Sequence, residues 1–477
     1  MTKAAHLLNR AGFGGTPEQI QALYSAGFEG AVHSVLNAPD DSQQFPKPAE
    51  VQPLNFKAKR EEYRMLPEAE RKEKFKMVQK EQRKDMLKLV TWWLERMAQT
   101  PNPLREKLTL FWHGHFATSV QKVKLPYFMW QQNETLRQYS LGNFGAMTKA
   151  ISRDPAMMIY LDTRESQKDH PNENFARELM ELFTLGIGNY SEDDIQQAAR
   201  AFTGYKITPE STFRFALFQH DGGEKKFFGK TGNFGGDDII NMILQKSACA
   251  QFITRKIWTF FGYENPDQGL VDALAGSFRA GNYEIKPLLQ EIFSSAEFYS
   301  TNSIRMQIKS PIQWLIQNSR ILETEPPQGF IAANVLRQLG QMPFAPPNVK
   351  GWDGGKSWIT TSSLLTRYNL ANFALGNAPM NAQYIQKIAK IGNAGGNGFN
   401  VENHKPIDFA KIAPPDLRGD PQKLVTSLAF RLYQSPISAH DSKPFLDFLK
   451  EKNNDTSDQT IRDLLHLMMS TPQYQLT

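Results

Sequence analysis

The chain has 477 residues, with 55 Lys and Arg against 49 Asp and Glu, and 40% of it is apolar. That is enough chain for a large hydrophobic core or for two or three domains. A mean hydropathy of −0.49 marks a soluble class, no apolar run approaches the ~18 residues of a membrane span, and the single cysteine, Cys249, excludes an intramolecular disulfide or a thiolate metal cluster. The opening MTKAAHLLNRAGFGG lacks the apolar core of a signal peptide. At face value the chain reads as cytoplasmic. A periplasmic or secreted protein whose signal segment had been removed would read the same way.

Thr16-Pro17-Glu18-Gln19 predicts a helix start, with Thr16 as cap, Pro17 at the first helical position and Gln19 closing a capping box. A polar loop follows over 39–54. One long helix is predicted from Glu68 to Gln99, entered through Pro67, with Phe75, Val78, Met86, Val90, Trp93 and Met97 at helical period. Its first half is very polar and is expected to project from the body. Between Lys57 and Lys88 there are 12 Lys/Arg and 7 Asp/Glu, a basic stripe that reads first as a solvated, ion-paired face and second as a surface for an anionic partner.

Asn102-Pro103 starts the next helix, and Leu104, Leu108, Phe111, Trp112 and His115 fall on its buried stripe. His113 points ~200° away from His115 on such a helix, so the His-Gly-His triplet makes a metal pair only if Gly114 breaks the helix. Helices continue over 126–165 with a break at Arg153-Asp154-Pro155.

The stretch Asn172–Gly204 is the most informative. Two helices are predicted, the first capped by Asn172 or His170 and stopped by Gly186 and Gly188. The second opens with Ser191 and Asp194. Glu173, Arg177 and Glu181 form one row, with Asn174 and Glu178 beside it, while Phe175, Leu179, Leu182 and Phe183 form the apolar face. Such a cluster is either a structural ion-pair network or a functional site.

Residues 211–232 alternate Phe213, Phe215 and Leu217 and then carry glycines, which predicts a β-hairpin with His220 and Asp221 at its tip. Helices resume over 237–345. Ile285-x-x-Leu-Leu with Ser295-x-x-Phe298 is echoed by Ile461-x-x-Leu-Leu with Thr471-x-x-Tyr474. Residues 346–358 form an aromatic loop in which Trp352 and Trp358 flank Asp353, suited to a sugar face or to pinning the loop on the surface. A Gly-rich insertion is expected over 376–420, then helices to Thr477.

Several of these segments occur together in a known family. His6-Leu-Leu-Asn-Arg-Ala-Gly-Phe-Gly14, Phe111-Trp-His-Gly-His-Phe-Ala-Thr-Ser119, Pro171–Gly186, Ala199-Arg-Ala-Phe-Thr-Gly204, His220-Asp221 and Val349-Lys-Gly-Trp352 resemble the bacterial family called domain of unknown function 1800. The resemblance covers nearly the whole chain in order. It implies that the motifs belong together and implies no activity.

The expected fold is mainly α: a multi-helix globular body over 1–375 with a long projecting helix and a small β-hairpin insertion, the Gly-rich insertion, and C-terminal helices over 421–477 packed on the body. The functional expectation is an enzyme acting on a polysaccharide or other polar polymer, with a polysaccharide or anionic polymer rather than nucleic acid as partner. Glu178 and Glu181 would be its acid/base pair, with His115, His220 and Asp221 also catalytic. Trp352, Trp358, Asp353, Arg177 and Asn174 would bind substrate. One alternative is a metal-assisted hydrolase holding a divalent metal through His113, His115 and Glu178. The other is a non-catalytic glycan- or protein-binding scaffold.

Overall fold

Local start signals set most helix boundaries. A computed structural model describes residues 1–376 and 406–477. In it Thr16 and Gln19 exchange the two bonds of a capping box. Asn102 accepts the Arg105 N–H at 3.3 Å, and Ser191 and Asp194 form the second capping box. The protein is mainly α-helical. No helix among the described residues is long and apolar enough to cross a membrane.

The long helix spans Glu68–Gln99. Met86, Leu89, Val90, Trp93 and Met97 are buried at helical spacing, which anchors its second half. Its first half stands in solvent beside the antiparallel helix Phe56–Met65, tied by the Lys74–Glu62 ion pair. Phe75, expected on the apolar stripe, lies on this free half and is exposed, because none of the described residues covers it.

Two large cores organise the body. The first gathers Trp112, Phe116, Phe144, Phe183, Ile257 and Phe293. The second gathers Trp93, Trp314, Leu336, Leu428, Leu464 and Tyr474. The helix Pro103–His115 gives Leu104, Leu108 and Trp112 to the first and Leu110 to the second, so it lies along their junction.

The sequence echo extends to a whole unit. Helices Ser247–Phe261, Gln268–Ala280 and Ile285–Ser294 are followed by a 3₁₀ turn, Glu297–Tyr299. Helices Pro421–Tyr433, Ala439–Glu451 and Asp458–Met469 are followed by another, Pro472–Gln475. Phe298 and Tyr474, the matched aromatics, are both fully buried. The segments after the two turns meet in an antiparallel bridge, with Lys309 N–H donating to the Gln475 carbonyl and Thr477 N–H to the Gln307 carbonyl, each at 2.8 Å.

The expected hairpin at 211–232 is instead two. Strand β1, Tyr205–Ile207, pairs antiparallel with β2, Phe213–Phe215. Strand β3, Lys225–Phe227, pairs with β4, Lys230–Gly232. Gly204, at φ +81°, turns the chain straight out of the preceding helix, so Phe213 and Phe215 find a partner behind them. Phe228 and Gly229, both at positive φ, close the second hairpin in the manner of a tight primed turn. His220 and Asp221 therefore sit in the link between hairpins, not at a tip. Most of the expected Gly-rich insertion at 376–420 lies outside the described residues. Its described part, 406–420, holds two short helices, Phe409–Ile412 and Pro415–Arg418.

Candidate functional site

A cleft of about 840 Å³ opens at the junction of the two cores. Two helices wall it by simple periodicity. Lys107, Leu110, Phe111, Gly114 and His115 fall at i, i+3, i+4, i+7 and i+8, and so share one face of the helix Pro103–His115. Arg255, Lys256, Thr259 and Phe260 share one face of Ser247–Phe261. Gln313, at the start of the helix Pro311–Ile321, closes the floor, and the loop 350–358 forms the rim.

The rim is seated by two glycines. Gly351, at φ +85°, lies against the Gly114 carbonyl so closely that a Cβ there would come within 2.1 Å of that oxygen. This backbone contact joins the His-Gly-His and Lys-Gly-Trp motifs. It sets Trp352 over Gly114 and beside the His113 ring, at 5.7 Å between centroids, and puts Lys350 and Trp352 on the cleft wall.

His115 is buried as its stripe required. Its Nε2–H donates to the Phe183 carbonyl at 3.0 Å, which leaves Nδ1 to accept from the Lys256 ammonium at 3.2 Å. Lys256 also donates to the Leu182 carbonyl at 3.2 Å. Burial, then the charge of Lys256, hold the His115 imidazole neutral far below its ordinary range. Burial pulls Lys256 down to about 8. Leu182 and Phe183 belong to a π turn, Leu179–Thr184, that continues the helix Asn174–Glu178. Their last-turn carbonyls are thus satisfied by a lysine and a histidine from other helices.

His113 faces away from His115, as helical geometry demands. Its Nε2 accepts the Phe344 N–H at 3.0 Å, and burial pushes its pKa down to about 3. The two histidines therefore point at different backbone groups. Among the described residues no group of three or more His, Cys, Asp and Glu is placed to hold a metal ion.

The expected site residues divide. His115, Trp352, Asp353 and Trp358 line the cleft, with Trp358 nearly buried and Asp353 exposed. Glu178 is half-buried and does not line the cleft, but it lies within electrostatic reach of Lys350, which does. Burial and then Glu181 raise its pKa, partly offset by Arg177 and Lys350. Glu181 accepts from the Tyr190 hydroxyl at 2.9 Å. Arg177 is held by Glu192 at 2.8 and 2.9 Å and by Glu173 at 3.2 Å, an exposed pairing on the outer side of the helix, where Asn174 is also exposed. His220 bonds the Thr203 carbonyl through Nδ1 at 3.0 Å, and Asp221 pairs with Arg200 at 2.6 Å. Those two tie the link between hairpins to the preceding helix and do not line the cleft.

Residues 6–476 match the family described as a protein of unknown function, DUF1800. The chain belongs to that family. No curated protein and no solved structure matches. In this DUF1800 chain the motifs carrying the resemblance occupy two places. Those around 111–119, 171–186 and 349–352 meet at the cleft and its edge, and those around 199–204 and 220–221 hold the hairpins. Sequence reasoning assigns no site role to the cleft's own cations, Lys107, Arg255, Lys256, Lys350 and Lys356. Lys107 had a signal, since it lies eight residues before His115 on the same apolar stripe. Lys256 had one too, as a charge inside Phe252-Ile-Thr-Arg-Lys-Ile-Trp-Thr-Phe260.

Proposed function

We propose that the protein is an enzyme that binds an anionic polar polymer, a carboxylate-bearing polysaccharide, in this cleft and transfers protons there. The observation that carries the reading is the cleft's charge. Among the described residues five Lys and Arg line it against two acidic side chains, Glu264 and Asp353. Phe111, Phe260, Tyr263 and Trp352 add aromatic surface of the kind that packs on sugar C–H faces. Charge focused in a concave site raises the local concentration of an anionic ligand.

The proton-transfer group in this reading is Lys256. Its pKa of about 8 leaves a useful neutral fraction near physiological pH, and His115 and the Leu182 carbonyl hold its nitrogen at the cleft wall. Glu178, with its raised pKa and within electrostatic reach of Lys350, is the complementary acid. This keeps the carboxylate expected from the sequence and moves the basic role to a lysine. The test is a panel of polygalacturonate, alginate and hyaluronan against dextran and starch. Binding would be measured calorimetrically, and turnover by new reducing ends and by absorbance of unsaturated uronides. The anionic polymers are expected to bind and be cleaved, with cleavage lost in Lys256→Met. Equal affinity for dextran and polygalacturonate would end the reading of the cleft. Tight anionic binding without turnover would leave a binding protein in place of an enzyme.

A further inference from the structure

The chain neutralises its buried cations with care in one place and not in the next. Glu106 is fully buried, accepts from Arg137 at 2.5 and 2.9 Å and from Trp93 at 2.8 Å, and also pairs with Arg96 at 2.9 Å. Asp41 completes that network on Arg96 at 2.8 Å. The next residue along the helix, Lys107, is 7% exposed and has no carboxylate partner among the described residues. Its ammonium donates to the Gln313 carbonyl oxygen and lies 5.0 Å from the Phe13 ring centre and 5.6 Å from that of Phe260.

Behind it stands a second unpaired cation. Arg10 is 1% exposed and close enough for its charge to act on Lys107. Only its Nη2 is used, donating to the Ser303 carbonyl at 2.5 Å. Its Nε and Nη1 have no partner among the described residues. Gln313 is 2% exposed, and because its oxygen faces Lys107, its amide nitrogen is the free end. That nitrogen too is without a partner. Buried charges are normally paired, and buried donors are normally satisfied. Here a lysine and an amide on the cleft floor, with an arginine behind them, hold unspent donors and have no acidic partner among the described residues.

We propose that the floor of the cleft is a carboxylate pocket, in which Lys107 and Gln313 donate to the acid group of one uronic-acid unit and Arg10 supports it from behind. The inference rests on the anionic reading of the cleft and narrows it to one recognition point. A single flat carboxylate matches the donor set of the floor, one ammonium and one amide, with the Phe260 ring beside the ammonium. Arg10 does not line the cleft, so at the floor a ligand meets the single charge of Lys107, which matches a carboxylate and not a phosphate dianion.

The experiment uses the full chain and thermal melting with D-galacturonate, D-galactose, D-galactose 6-phosphate and oligogalacturonate. D-Galacturonate is expected to raise Tm and D-galactose to leave it unchanged. Lys107→Met should weaken D-galacturonate binding by roughly tenfold or more, the usual effect of losing a charge-assisted hydrogen bond. Gln313→Glu is the second variant, because it keeps the volume and supplies Lys107 with its missing counter-ion. It should melt higher than the parent and no longer respond to D-galacturonate. An undiminished response in Gln313→Glu, or a larger shift with D-galactose 6-phosphate than with D-galacturonate, would overturn the pocket. If oligogalacturonate binds while the monomer does nothing, the pocket fails and the wider cleft reading stands. If the monomer acts through Lys107 and the polymers do not bind, the pocket stands and the polymer reading fails.

Discussion

Replacing Gly351 by alanine tests whether the contact with Gly114 seats the rim loop. Two costs add. An L-residue at φ +85° is held in the left-handed region, at about 1–2 kcal/mol. The new Cβ would also lie 2.1 Å from the Gly114 carbonyl oxygen and 3.0 Å from its carbon, which are backbone atoms of a buried helix and have no rotamer to yield. Overpacking of that kind costs about 1–3 kcal/mol. The expected loss is therefore about 2–5 kcal/mol, unless the loop lifts and exchanges stability for the positions of Lys350 and Trp352. Gly229→Ala is the control, since Gly229 sits at φ +76° with nothing within 4 Å of the added carbon and pays the conformational cost alone. Urea unfolding of the two variants side by side isolates the collision. Equal losses in the two, or a loss below about 1 kcal/mol in Gly351→Ala with polygalacturonate binding intact, would refute the seating argument.

Three further outcomes follow from the same reasoning. Asp154 caps the helix Pro155–Tyr160, bonding the Met157 N–H at 3.0 Å and Gln132 at 3.1 Å, while its other oxygen has no partner among the described residues and burial raises its pKa from 3.8 to about 7. The folded state keeps a proton there that the unfolded chain releases, so stability falls as pH rises through that window. Asp154→Asn, which retains the cap, should match the parent near pH 4 and melt above it at pH 8; a gain that does not grow with pH contradicts this. Glu178→Gln should leave Tm unchanged or raised at pH 7, with the difference shrinking on acidification, because a raised carboxyl is destabilising only while ionised. A marked loss would make Glu178 a structural ion-pair partner instead. Reversing Lys72 and Lys76 should alter stability by no more than about 1 kcal/mol, since their pairs with Glu68 and Glu73 stand in solvent; a larger loss in denaturant would mean that the projecting arm is buried against something.

Sequence periodicity carried the helical elements well, and it did so where the signal is local. The long helix, the two capping boxes and the burial of His115 all follow from residues within a turn or two of one another. The cleft was only half legible. Its walls come from segments more than 100 residues apart, and no pairwise pattern in the chain announces that Lys107, Lys256 and Gln313 will share one space. Lysine on an apolar stripe also has a commoner meaning, an aliphatic stem with its head in water. The alternation of Phe213 and Phe215 marks a strand without naming its partner, which here lies behind it, at Tyr205–Ile207. Both ends of the Arg177 guanidinium are held by Glu192, fifteen residues on, a pairing that the helical row Glu173–Glu181 does not announce.

The π turn at Leu179–Thr184 makes length, as well as composition, a constraint on this site. A π turn is one residue longer than the α turn it replaces. Deleting any one residue between Glu178 and Gly186 would tighten the bulge to an α turn and redirect the carbonyls within it, while leaving the chain beyond nearly in register. The carbonyls of Leu182 and Phe183 would then turn away from Lys256 and His115, although every side chain named above was still encoded. A frame of this kind tolerates many substitutions on its outer side and no change of count, so single-residue deletions here should damage the cleft more than any point replacement of Leu182 or Phe183.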